Sequence, residues 1–137
     1  MDTSVEYVKM CEKATEIQKN YNIKRRIGDY FFDKSGGGVL VWVSPDDGSF
    51  YLDTIYIPRQ DQLQEILYKD DQNPCGHDSL ALRIGNHFSQ FMYKGMPNEW
   101  NRKYGKCIGS MEQLWLAYVM YEKYSKVWAG TDWEPAP

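Results

Sequence analysis

The segment that most restricts the fold is an uncharged run, residues 114–121, near the carboxyl end of the chain. Ser110 and Gln113 precede it at capping-box spacing, in which the Ser hydroxyl and the Gln side chain each satisfy a free backbone N–H group. A helix that is apolar almost all round at its start is buried there. Two lysines follow near the negative end of the helix dipole. We therefore predict a buried helix that becomes amphipathic and stops at Gly130.

A second strong pattern is the aliphatic and aromatic run 39–43, which lies between three glycines and the turn sequence 45–48. β-branched and aromatic residues favour strands, and the flanking residue types favour turns. Similar runs at 29–32 and 50–57 complete a predicted three-stranded antiparallel meander. Both alternating faces of the middle run are apolar. We therefore expect helices to cover one face, while the other is either covered as well or offered to a partner.

Helical spacing of apolar residues predicts three further helices. They cover residues 4–20, residues 59–68 and residues from about 78 to about 94. Residues 131–137 are predicted to be a frayed tail in which Trp133 is the one side chain able to dock. Together the elements predict a single α+β domain over the whole chain: a three-stranded antiparallel meander packed against an N-terminal helix and two or three C-terminal helices.

Length, charge and cysteine content narrow the classes of function. The 137 residues suffice for one domain with one core. The formal net charge of −3 gives no overall positive field, which disfavours a dedicated nucleic-acid binder. Three widely spaced cysteines do not form a disulfide framework, and residues 1–20 lack the apolar stretch of a signal peptide. No apolar run approaches the length of a membrane span either. Together these features lead us to expect a cytoplasmic protein whose cysteine thiols are reduced.

Cys75, His77 and His87 have the residue types that bind metals or act as nucleophile and base. Structural zinc sites use four ligands, usually as two close pairs, and a catalytic cysteine needs an oriented histidine. One atypically spaced pair meets neither requirement, so the sequence predicts no metal, no cofactor and no catalytic residue. The alternative is a small enzyme or nucleic-acid modulator with a pocket at these three residues. It requires them to converge with a carboxylate or a basic rim.

Two basic stretches flanked by aromatic residues are the candidates for a nucleic-acid contact. Basic side chains would neutralise phosphates while aromatic rings stack on bases. Few cations are involved and the chain is acidic, so a solvated surface is favoured for both stretches. The residues are Lys24, Arg25, Arg26, Arg102, Lys103 and Lys106, with Tyr21, Trp100 and Tyr104 beside them.

Three parts of the chain carry a family resemblance: the opening MCEKA (10–14) and EIQ (16–18) with GDY (28–30), the central PRQDQLQE (58–65), and the ending from MEQLWLA (111–117) to Trp133. In these parts, which cover about half of the chain, it resembles a family of small, uncharacterised proteins encoded in bacterial prophages. Residues 69–106 carry no part of the resemblance. The resemblance implies a phage or prophage gene in a bacterial host, and it brings no activity, cofactor or catalytic residue.

The leading hypothesis is a non-enzymatic accessory protein of phage origin that binds a protein of phage or host origin. It rests on the aromatic surplus, on the apolar sheet and on the lack of a catalytic pattern. Homo-oligomerisation is compatible with the same features. In the helix at 59–68, the polar start is either a recognition surface or, as we favour, a solvated start whose Gln60 and Asp61 satisfy end groups locally. The candidate contacts are Trp42, Tyr51, Arg59, Gln60 and Gln64, and full burial of Trp42 together with its face of the sheet would remove the proposed sheet surface.

Overall fold

The computed structural model describes residues 1–21, 26–42, 53–68, 80–95 and 108–136. The α+β fold class is confirmed, since helices and strands are mixed along the described chain. The elements are α1 (Val5–Lys13), α2 (Thr15–Tyr21), β1 (Tyr30–Asp33), β2 (Gly38–Val41), β3 (Thr54–Ile57), α3 (Gln60–Tyr68), α4 (Leu80–Gln90), a π-helical turn (Phe91–Gly95), α5 (Met111–Tyr124), β4 (Lys126–Trp128) and β5 (Trp133–Pro135).

The main sheet has three antiparallel strands in the order β2-β1-β3. Antiparallel pairing agrees with the prediction, but a meander would place β2 in the middle, where the structure has β1. A tight turn joins β1 to β2, with Gly37 at a φ of +69° that suits glycine. β3 returns to the other side of β1, so Phe31 lies between Leu40 and Tyr56 in the register. β2 and β3 are therefore the two edges of the sheet.

The helix predicted over residues 4–20 is divided in two at Ala14, whose ψ of 66° lies outside the helical region. Ser4 caps α1, because its hydroxyl oxygen accepts a hydrogen bond from the N–H of Tyr7. The Tyr7 hydroxyl in turn donates to the carbonyl of Pro58 at 2.6 Å, directly after β3. The break lets α1 and α2 both pack against β3.

The outer edge of β3 is closed by one side chain, Gln18 of α2. Its amide nitrogen donates to the carbonyl of Tyr56 at 3.0 Å, and its amide oxygen accepts from the N–H of Tyr56 at 3.0 Å. The same nitrogen donates to the carbonyl of Cys11 at 2.9 Å, near the end of α1. Gln18 thus occupies the position that a fourth strand would take at this edge.

α5 crosses the core, as its uncharged sequence predicts: residues 115–120 are each at most 3% exposed. One half of the predicted capping box is present, since the Ser110 hydroxyl accepts from the N–H of Gln113 at 3.2 Å. The Gln113 side chain accepts from the N–H of Gly109 at 2.7 Å, one residue earlier than in the standard motif. Asp2 accepts hydrogen bonds from the side chains of both Ser110 and Gln113 and so ties the N-terminus to this helix.

The chain after α5 does not fray. Ser125, at a φ of 51°, ends the helix before the predicted stop at Gly130 and reverses the chain into the β4–β5 hairpin. Trp133 is 7% exposed, and its indole N–H donates to the carbonyl of Met10 at 3.0 Å. Its ring centroid lies 5.1 Å from that of Trp128. The prediction of a frayed tail is therefore wrong for residues 131–136, because two tryptophans bury the hairpin against α1, whereas the predicted docking of Trp133 is confirmed.

α4 and the π-helical turn pack on α5 through aromatic rings. Phe88 stacks on Trp115 with a centroid distance of 4.3 Å, and Phe91 lies 4.7 Å from Tyr118 and 5.5 Å from Tyr121. Much of the aromatic surplus is therefore used inside the molecule. Within the described part of the chain, none of the helices combines the length and apolar character that crossing a membrane requires.

Candidate protein-interaction site

Burial falls across the main sheet from β3 to β2. In β3, Ile55, Tyr56 and Ile57 are each at most 5% exposed, because α1 and α2 pack against this strand. In the central strand β1, Phe31 is buried and its neighbours are half-buried. In β2 all four residues are exposed. The accessible part of the sheet is therefore an edge strand and not a face.

Trp42, directly after β2, belongs to the core. It is 6% exposed, and its ring centroid lies 6.3 Å from that of Phe31. Its N–H donates to the carbonyl of Asp29 at 2.8 Å, and its carbonyl accepts from the N–H of Gly28 at 2.8 Å. Trp42 is thus not part of an exposed binding surface, and the prediction that it is a contact residue is wrong. Tyr51 lies outside the described residues.

Three consecutive aliphatic residues of β2 are exposed: Val39 by 39%, Leu40 by 37% and Val41 by 41%. The strand Gly38–Val41 contains no charge and no proline, the devices that usually protect an edge strand from pairing. A Cβ placed on Gly38 would meet no atom within 4 Å, so the space around that residue is open. We call the outer side of residues 38–41 the β2 edge.

The register identifies which backbone groups face outward at the β2 edge. Tyr56 directs its N–H and carbonyl away from β1, towards Gln18. In an antiparallel ladder, bonded and non-bonded pairs alternate, so Phe31 directs its groups towards Leu40. Leu40 therefore bonds inward, and Val39 and Val41 point their N–H and carbonyl groups outward. The inward bond of Trp42, two residues after Leu40, agrees with this alternation.

The polar start of α3 is engaged within the chain. The Arg59 guanidinium donates to both carboxylate oxygens of Asp61, at 3.0 and 3.1 Å, and this hydrogen bonding holds the pKa of Asp61 below its usual value. The end group of the helix is satisfied by Gln62, whose amide oxygen accepts from the N–H of Arg59 at 2.9 Å. These contacts favour the interpretation as a locally satisfied helix start. The predicted contacts Gln60 and Gln64 are half-buried.

A buried carboxylate fastens this helix start to the sheet. Asp29 is 1% exposed and accepts hydrogen bonds from the side chain of Gln62 and the N–H of Arg26. A buried charge requires such partners, and the bonds account for its position. The Arg26 guanidinium forms two hydrogen bonds of 2.9 Å with the Glu65 carboxylate. These bonds raise the pKa of Arg26. Arg26 is therefore engaged, and the other cations of the two basic stretches lie outside the described residues.

The alternative pocket at Cys75, His77 and His87 falls mostly outside the described residues, which include only the last of the three. His87 is exposed on α4, with its ring centroid 6.3 Å from that of Tyr68. Among the described residues, no three His, Cys, Asp or Glu side chains are grouped so that they could hold a metal ion. Cys11 is buried, and burial raises the pKa of its thiol far above the usual value. Its thiol is therefore held in the unreactive protonated form.

Comparison of the chain with protein-family models, with curated proteins and with solved structures gives no match. The candidate site therefore rests on the geometry of the chain. Sequence reasoning did not select Val39, Leu40 and Val41 as contacts, although their uncharged run was visible. An uncharged run of this kind indicates a possible binding surface only when its strand is known to lie at the edge of the sheet. In a central strand the same residues would be ordinary core.

Proposed function

We propose that this protein is a non-enzymatic accessory protein of phage or prophage origin that acts in the bacterial host cytoplasm by binding another protein. The β2 edge is the binding site. The phage origin rests on the family resemblance of the sequence, and the binding role rests on the exposed, uncharged edge strand.

The single observation that carries the binding role is the difference between the two edges of the sheet. The edge of β3 is occupied by the Gln18 amide, whereas the β2 edge presents three aliphatic side chains and the outward backbone groups of Val39 and Val41. An unprotected edge strand is a template for one more strand. A partner that adds a strand there gains main-chain hydrogen bonds and side-chain contacts on both faces.

The test removes the outward N–H groups while keeping the bonds to β1. In V39P/V41P, proline replaces residues whose N–H groups point away from β1, a position that tolerates proline in an edge strand. Tagged wild-type and variant proteins are incubated with nuclease-treated lysate from a host in which a prophage has been induced. We expect a protein captured by the wild type to be lost with V39P/V41P, and the Val39 and Val41 amides to become protected from hydrogen exchange in the complex.

The matched control is V5P. Val5 is 86% exposed at the first position of α1, where proline is well tolerated, so this variant carries the same substitution far from the sheet. It should capture the same protein as the wild type. If V39P/V41P retains the partner, the β2 edge is not the binding site. A protein recovered only from a parallel lysate without nuclease treatment would instead favour the basic stretches.

A further inference from the structure

We infer that the partner at the β2 edge is a second copy of this chain, paired antiparallel about a two-fold axis at Leu40. This inference rests on the proposed function, because it names the occupant of the same edge. The two sheets would then join into one of six strands, in the order β3-β1-β2-β2-β1-β3. The observation behind it is that the β2 edge is complementary to itself in one register.

Self-pairing follows from the direction of the backbone groups. Leu40 bonds inward to β1, so two copies of Leu40 can face each other as a non-hydrogen-bonded pair on the two-fold axis. Val39 of each copy then lies opposite Val41 of the other. Because the groups of both valines point outward, each of these pairs exchanges two hydrogen bonds. The register therefore satisfies all the outward groups of Val39 and Val41 in both copies.

The side chains and charges fit the same occupant. In this register, Leu40 meets its own copy on one face of the joined sheet, while Val39 and Val41 meet across the strands on the other. All three residues are 37–41% exposed in the single chain, so each has apolar surface to bury. The strand is uncharged, so two copies bring no like charges together along it.

The size of the contact sets the strength of the dimer. Four residues on each side bury far less than the roughly 1,200 Å² of total surface typical of a stable interface. The dimer should therefore be weak and should depend on concentration. Sedimentation equilibrium up to about 1 mM chain covers the weak range in which such a dimer forms.

The test uses charges that distinguish this register from other modes of association. V39K/V41K places like charges opposite each other in both valine pairs and should weaken dimerisation about tenfold or more. V39K/V41E places opposite charges in the same pairs and should dimerise nearly as well as the wild type. Both variants change exposed side chains, and circular dichroism is used to check that each is folded. V5K serves as a control with one added charge on α1.

A cysteine pair gives an independent readout of the two-fold axis. The Cα atoms of a non-hydrogen-bonded antiparallel pair lie about 4.5 Å apart, which a disulfide can bridge. Under mild oxidation, L40C should form a cross-linked dimer more efficiently than V39C, whose opposite neighbour is Val41. The unmodified chain, with its three native cysteines, provides the background.

Several outcomes would overturn the self-pairing. They are a wild type that stays monomeric up to the highest concentration, equal dimerisation of the wild type and V39K/V41K, equal loss in V39K/V41K and V39K/V41E, and preferential cross-linking of V39C. If the wild type is monomeric but still loses a captured protein in V39P/V41P, the self-pairing fails and the proposed function stands. If capture is also unaffected by V39P/V41P, the proposed function fails as well.

Discussion

The closure of the β3 edge by Gln18 can be tested by the substitution Q18A. This change removes three hydrogen bonds, of 2.9, 3.0 and 3.0 Å, that join α2 to Cys11 and Tyr56. At a net value of about 1 kcal/mol each, the three bonds contribute about 3 kcal/mol. Gln18 is half-buried, so water can replace part of this. We expect the free energy of unfolding to fall by about 2 kcal/mol, a large share of the stability of a small domain.

Urea denaturation measures this change, with the midpoint expected to fall at an unaltered m-value. Hydrogen exchange provides a local readout, because the Tyr56 amide loses its acceptor and should exchange faster relative to the amides of α5. The matched control is Q64A, which makes the same substitution on a half-buried helix position in α3. If Q18A lies within about 0.5 kcal/mol of Q64A, the side-chain closure of the edge contributes nothing and the reasoning is refuted.

Two further predictions concern the termini. Burial raises the pKa of Asp2, but hydrogen bonds from Ser110, Ser4 and Gln113 outweigh it and lower the pKa below its usual value. The resulting stability is present above the unfolded pKa near 4 and is lost as pH falls through the lower folded pKa. D2N should thus flatten the acid side of a plot of unfolding free energy against pH, and an unchanged slope would contradict the assignment. W133A should cost about 3–5 kcal/mol in thermal or urea unfolding, as expected for a buried tryptophan, with W133F intermediate. A loss below about 0.5 kcal/mol would mean that the tail does not dock.

Local rules were sufficient for the elements whose signals lie within a few residues. The cap at Ser110 and the buried run after it predicted α5, and the glycines before residue 39 predicted the turn between β1 and β2. The helix start at Arg59 was also correctly placed, although Gln62 and not Gln60 satisfies its end group. In each case the bonding partners are close in sequence, so a spacing rule captures the energetics.

Local rules failed where the deciding contact is distant in sequence. The break at Ala14 is stabilised by bonds from Gln18 to Tyr56, and the ordered tail depends on a bond from Trp133 to Met10. Neither contact leaves a pattern in a short window of sequence. The same reason explains why Trp42 was wrongly predicted to be an exposed contact. An aromatic side chain fits either a core or an interface until its neighbours are known.

The sequence by itself determined that this chain is an α+β protein with a buried C-terminal helix and an uncharged strand at residues 39–41. Tertiary structure decided whether that strand is in the middle or at the edge of the sheet. Strand order depends on whether β3 pairs with β2 or with β1, and it pairs with β1. Packing of α1 and α2 on β3 buries Ile55 and Ile57 on the far side of β1. Val39, Leu40 and Val41 are consequently left at the open edge, where residues that would otherwise form core are exposed.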